Sequence, residues 1–117
     1  MDVSELFKAV DEMDGGKFVS FLTEDANFKY GNADVVVGRE AIKKSVSDFF
    51  NLIKGLSHNI INSWKIDDKE IIQGEVTYIR KDGSKVTFPF VNIFTFKGDL
   101  IKEYLVYIDI GPLFQSN

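Results

Sequence analysis

His58 is the only histidine of the chain. An imidazole titrates close to neutral pH and can both take and give a proton. It stands at the entrance of a β-patterned stretch, where it either turns into a cavity or sits near solvent. Asp109 lies between Ile108 and Ile110. Burial among such neighbours makes a carboxylate a better proton acceptor, which suits a general base. The alternative is a strand-end Asp that accepts from backbone N–H groups near Gly111. Asn92 interrupts a row of phenylalanines, Phe88, Phe90, Phe94 and Phe96, spaced by two. Side chains in a strand alternate between faces, so this row shares one face with Asn92. Its amide can donate and accept. It is either aimed at a ligand carbonyl or hydroxyl, or paired with Tyr107 or Gln73 across a sheet. Tyr30, Trp64, Tyr78 and Tyr104 suit a cavity wall or a subunit interface.

The elements that would position these groups follow from periodicity. Val3, Leu6, Phe7, Val10 and Met13 recur at helical spacing, with Asp2 as N-cap and Glu5 as its capping-box partner. Gly15 and Gly16 stop this helix, and residues 17–22 form a short second one. Ala26, Phe28 and Tyr30 mark a strand, Gly31 and Asn32 a turn, and residues 34–37 a partner strand. After Gly38 the longest helix buries Ile42, Val46, Phe49, Phe50 and Ile53, and Gly55 ends it. From Ser57 on, the pattern is β. His58, Ile60, Asn62, Trp64 and Ile66 share one face. Strands over 71–80 and 86–110 follow, with turns at Asp82–Gly83 and Gly98–Asp99. Helices first and an antiparallel meander after them predict an α+β fold, with three helices packed on one strongly curved sheet. The predicted single domain spans residues 1–117. The mouth of such a cone is where a small molecule would sit.

Composition narrows the function classes. The chain has no Cys, which excludes disulfides, thiolate metal sites and cysteine nucleophiles and fits a cytoplasmic setting. Net charge is −4 and the basic residues do not cluster, so no nucleic-acid partner is expected. No signal peptide, membrane span, metal site or cofactor is expected, because no charged-then-apolar leader, ligand cluster or phosphate-binding glycine loop is legible. The 11 Phe read either as a core or as the lining of an apolar ligand cavity. Ser57, His58 and Asp109 carry no nucleophile motif.

Four stretches resemble the SnoaL-like, polyketide-cyclase-related branch of the NTF2-like superfamily. They are Leu22-Thr23-Glu24-Asp25-Ala26, the run from Val37 through Gly38, Arg39 and Glu40 to Ile42, Gly55-Leu56-Ser57-His58, and the Tyr107-Ile108-Asp109-Ile110-Gly111-Pro112-Leu113 ending. The resemblance implies the cone fold, a homodimer paired through the outer sheet face, and catalysis by an Asp near 109 or by His58. It also implies absences. Leu6 and Tyr30 stand where ketosteroid isomerases place a Tyr donor and the base Asp, and Asn92 stands in place of their oxyanion-hole Asp. Val106 stands where limonene-type epoxide hydrolases place an Asp. Neither activity is expected.

Three functions follow as expectations. The first is binding of a small apolar or aromatic metabolite by Tyr30, Trp64, Phe88, Phe90, Asn92 and Tyr104. The second is a cyclase, isomerase or dehydratase acting on a carbonyl compound, with Asp109 or His58 as base. The third is a non-catalytic protein-interaction module. The last hairpin decides which face of its second strand lines the cavity. A plain two-residue turn pairs Asn92 with Leu105, whereas a bulge turns Tyr104, Val106 and Ile108 inward, and the bulged arrangement is the expected one.

Overall fold

A computed structural model describes residues 1–114. Helix α1 (Val3–Asp11) starts at Asp2, whose carboxylate accepts the Ser4 N–H at 2.9 Å. The expected N-cap is thus in place. Asp14 caps α2 (Gly15–Val19) by accepting from the Lys17 N–H at 3.0 Å. Gly15 and Gly16 therefore open the second helix instead of only closing the first. Strand β1 (Leu22–Tyr30) begins before the expected position, and β2 (Val36–Val37) pairs with it. Gly38 adopts φ 93° at the N-cap of α3 (Arg39–Phe50), a conformation that favours glycine. This helix ends short of Ile53, and Gly55 begins the next strand instead of capping the helix.

Strands β3 (Gly55–Ile66), β4 (Lys69–Ile79), β5 (Lys85–Lys97) and β6 (Leu100–Tyr107) form the expected antiparallel meander. The sheet order is β2-β1-β6-β5-β4-β3, with β1 parallel to β6. Three helices pack on this curled, unclosed sheet, so the α+β cone is observed. Its core holds Leu6, Phe18, Leu22, Ile42, Ile72, Phe94 and Ile101, all almost fully buried. A 3-10 turn (Gly111–Phe114) closes the described chain. Arg80 holds it, donating through Nε to the Leu113 carbonyl and through Nη2 to the Pro112 carbonyl, both at 2.9 Å. Arg80 thus clamps this turn to the end of β4. Among the described residues no helix is long and apolar enough to cross a membrane.

Two bulges set which side chains face the helices. On β6, Thr95 pairs with Glu103 but Phe96 pairs with Ile101, leaving Lys102 as the extra residue. Asn92 therefore opposes Val106, and Tyr104 and Val106 turn inward while Tyr107 is exposed. The bulged register is the one observed. On β3, Ile60 pairs with Gly74 and Asn62 with Gln73, so Ile61 is extra. One inserted residue exchanges the faces beyond it. Asn62, Trp64 and Ile66 consequently leave the face that His58 occupies.

Candidate functional site

A cavity of about 210 Å³ opens between the concave sheet face and the helices. Its wall is apolar and rich in aromatic side chains: Phe18 from α2, Phe28 and Tyr30 from β1, Phe49 and Phe50 from α3, Tyr78 from β4, Phe90 from β5 and Tyr104 from β6. His58 and Asn92 add the nitrogen-bearing side chains. Among the described residues no Lys, Arg, Asp or Glu lines it. Gly74 sits opposite Phe90 and beside the β3 bulge, where a Cβ would lie 2.2 Å from the Asn59 carbonyl oxygen. The bulge thus requires a glycine.

Asn92 is 2% exposed, and its Oδ1 has no hydrogen-bond partner among the described residues. The two structural partners open to it in sequence are committed elsewhere. Tyr107 faces outward, and Gln73 accepts from Asn62 Nδ2 at 3.0 Å. A buried polar atom without a partner costs roughly 1–3 kcal/mol. That oxygen is therefore uncommitted on the cavity wall.

His58 has one hydrogen-bonding partner among the described residues, Asp11 at the end of α1. Asp11 Oδ1 lies 2.6 Å from the His58 ring Nδ1, and Oδ2 accepts the His58 backbone N–H at 3.1 Å. Phe7 and Phe90 pack on the ring, with centroids 5.0 and 5.2 Å away. Asp11 was not legible as a site residue. The available signal was a carboxylate at a helix C-terminus, where the helix dipole disfavours it.

Tyr30 and Tyr78 place their hydroxyls 2.5 Å apart. Burial, and then the neighbouring Tyr78 hydroxyl, raises the Tyr30 pKa. Burial pushes Tyr78 up to about 12. Burial likewise raises Tyr104. All three are protonated donors near neutral pH. In the Tyr30–Tyr78 pair one hydroxyl donates to the other, so one hydroxyl proton is left over for a ligand.

The cavity brings together Tyr30, His58, Phe90, Asn92 and Tyr104 of the expected set. Three expected residues lie elsewhere. Trp64 is 48% exposed on the outer face, because the Ile61 bulge reverses β3. Phe88 is buried but packs on Tyr78, with ring centroids 6.0 Å apart, beyond the cavity lining. Asp109 is exposed past the end of β6, and its carboxylate accepts the Gly111 N–H at 3.0 Å. It is the strand-end Asp of the alternative reading and does not reach the cavity.

No curated protein matches the chain in sequence. Solved structures match its fold. An NTF2-like protein of unknown function from Burkholderia pseudomallei K96243 superimposes with a TM-score of 0.85 at 13% identity, covering 95% of this chain and 90% of that one. TerC, co-crystallised with polyporic acid, gives 0.82 at 14% identity, over 95% and 91%. A protein named as a SnoaL-like polyketide cyclase, from Jannaschia sp. CCS1, gives 0.78 at 18% identity, over 95% and 87%. At these identities the likeness is one of fold. The sequence model of the SnoaL-like domain matches residues 3–104, and the chain belongs to that family.

Proposed function

We propose that this protein binds a small apolar or aromatic metabolite inside the cone, with Asn92 reading one polar group of the ligand. The observation that carries the reading is the buried Asn92 amide whose oxygen has no partner, set in an aromatic cavity. Size supports it. An apolar cavity of about 150 Å³ accepts benzene, so about 210 Å³ suits a molecule of one or two rings. Steroid-sized ligands exceed this volume, since drug-sized ligands occupy pockets from roughly 300 Å³ upward. TerC, similar in fold, was co-crystallised with polyporic acid, a small aromatic compound, which supports a ligand of that general class. A thermal-shift screen of hydroxylated one- and two-ring aromatics tests the reading. Stabilisation by some of them, lost in Asn92→Leu, is the expected result. A flat response across the set, or full binding by Asn92→Leu, would contradict it.

A second reading has its own observation, the Asp11–His58 pair at the cavity wall. It makes the protein an enzyme of the cyclase, isomerase or dehydratase type. His58 would take a proton from carbon next to a ligand carbonyl, and Asn92 or a tyrosine hydroxyl would donate to the enolate oxygen. Exchange of the α-protons of 2-tetralone in D₂O, followed by NMR, tests it. Acceleration by the wild type and its loss in His58→Gln is expected. Exchange at the buffer rate rejects this chemistry for that ketone.

The proposal includes a homodimer joined through the outer sheet face. Trp64, Ile71, Ile93 and Leu105 form one cross-strand row there, and Asn62, Gln73, Val91 and Tyr107 form the next. Trp64, Tyr107 and Ile61 are half-exposed, so large apolar side chains stand open to a partner on this face. The Cys-free composition supports a cytoplasmic setting as part of the same proposal.

A further inference from the structure

We propose that Asp11 is a positioning residue that holds the His58 proton on Nδ1 and leaves Nε2 as a hydrogen-bond acceptor in the cavity wall. The cavity then prefers a ligand bearing a phenolic or enolic hydroxyl over the same molecule O-methylated. The ligand half rests on the binding reading above; the tautomer half does not.

The geometry assigns the proton. An ionised carboxylate only accepts, so the 2.6 Å contact between Asp11 Oδ1 and Nδ1 requires the hydrogen on Nδ1. In the neutral imidazole the remaining lone pair is then on Nε2. Both Asp11 oxygens are engaged by the same residue, because Oδ2 takes the His58 backbone N–H. That N–H has no sheet partner to turn to. β3 is the edge strand, bonded only to β4, so its outward amides need another acceptor. Phe7 and Phe90 fix the ring plane. His58 lines the cavity, and Asp11 is its only hydrogen-bonding partner among the described residues. Among the described residues no Lys or Arg lines the cavity, so no full positive charge there draws an anionic headgroup, whereas a neutral hydroxyl can donate to Nε2. A methyl ether of the same shape leaves Nε2 facing a group that cannot donate.

Asp11→Asn separates positioning from packing. Its single oxygen has two N–H groups to satisfy. The backbone N–H is fixed in place, while the ring can move its proton. The oxygen therefore takes the backbone N–H, the side-chain NH₂ faces Nδ1, and the ring proton shifts to Nε2. The chain has one His, so ring-¹⁵N-histidine labelling gives one pair of ring resonances to read, at alkaline pH with the imidazole neutral. The expected wild-type spectrum has a protonated Nδ1 and a pyridine-type Nε2, and Asp11→Asn exchanges the two. A wild type protonated at Nε2 overturns the assignment, and so does an Asp11→Asn protein that keeps the wild-type pattern. If Asp11→Asn fails to fold, the wild-type spectrum alone decides.

The ligand half is read by calorimetry with 2-naphthol and 2-methoxynaphthalene. A site built to pair a hydroxyl discriminates strongly against an analogue lacking it, so 2-naphthol should bind tighter by roughly tenfold or more. That gap should shrink in Asp11→Asn, whose Nε2–H donates instead. Equal affinities overturn the ligand half while the tautomer stands. Binding of neither probe overturns it together with the binding reading.

Discussion

Asn92 is where a stability measurement bears directly on function. If its amide supported the fold, Asn92→Leu would cost about 1–3 kcal/mol through a lost buried hydrogen bond. Its oxygen has no partner, so the substitution should be neutral or stabilising by about 1 kcal/mol in urea unfolding, while ligand binding falls. A destabilised Asn92→Leu would make the residue structural. The tyrosines give a second prediction, in pH. Burial raises Tyr78 to about 12, against an ordinary value near 10. The folded protein keeps a proton there that the unfolded chain releases. The associated stability is whole below pH 10 and declines as pH rises towards about 12, by about 1.4 kcal/mol per pH unit for each such tyrosine. Urea midpoints across this range, with phenolate absorbance, should show stability and tyrosine ionisation changing together. Tyr78→Phe should lower the slope by one tyrosine's share, leaving that of Tyr30 and Tyr104. At this scale the sequence was informative for Asn92, His58, Tyr30, Phe90 and Tyr104, whose chemistry or spacing marked them. It was silent on Asp11, because that pairing depends on how α1 crosses the edge strand.

The elements explain which face each residue took. The bulge at Lys102 was legible, since the Gly98–Asp99 turn and the inward set of Tyr104, Val106 and Ile108 could not both hold without an extra residue. The bulge at Ile61 has no such signal in the turn, and without it the β3 alternation places Trp64 in the wall. Gly74 was the available signal. An isolated glycine inside a strand pattern marks a bulge or a close backbone approach, and here it does both. Gly74→Ala should therefore lose roughly 3 kcal/mol of stability, at the upper end of overpacking costs, because the new methyl meets backbone and not a side chain that can swing away. A cost under about 1 kcal/mol would show that the β3 bulge is not needed for the fold. The short helix α2 was misplaced for a local reason. Gly15 and Gly16 look like a helix stop, but Asp14 ahead of them is a cap that starts the next helix.

For the whole molecule, order and periodicity were enough for the cone, since helices followed by a meander leave few other ways to bury one sheet face. They pointed to a cavity in the cone but not to its size, which depends on how far the aromatic side chains fill the space they enclose. The outer face carries the dimer prediction. Light scattering at micromolar concentration should return twice the chain mass, and Trp64→Asp should shift it towards the monomer. A wild type that is strictly monomeric would reject the pairing. The central claim, a ligand held inside the cone with a polar group on Asn92, is tested most directly by a crystal structure of the protein grown with 2-naphthol. The prediction is a ring between Phe28, Phe90 and Tyr104, with its hydroxyl within hydrogen-bond distance of Asn92. An empty cone at saturating naphthol, or a ring found only on the outer sheet face, would contradict it.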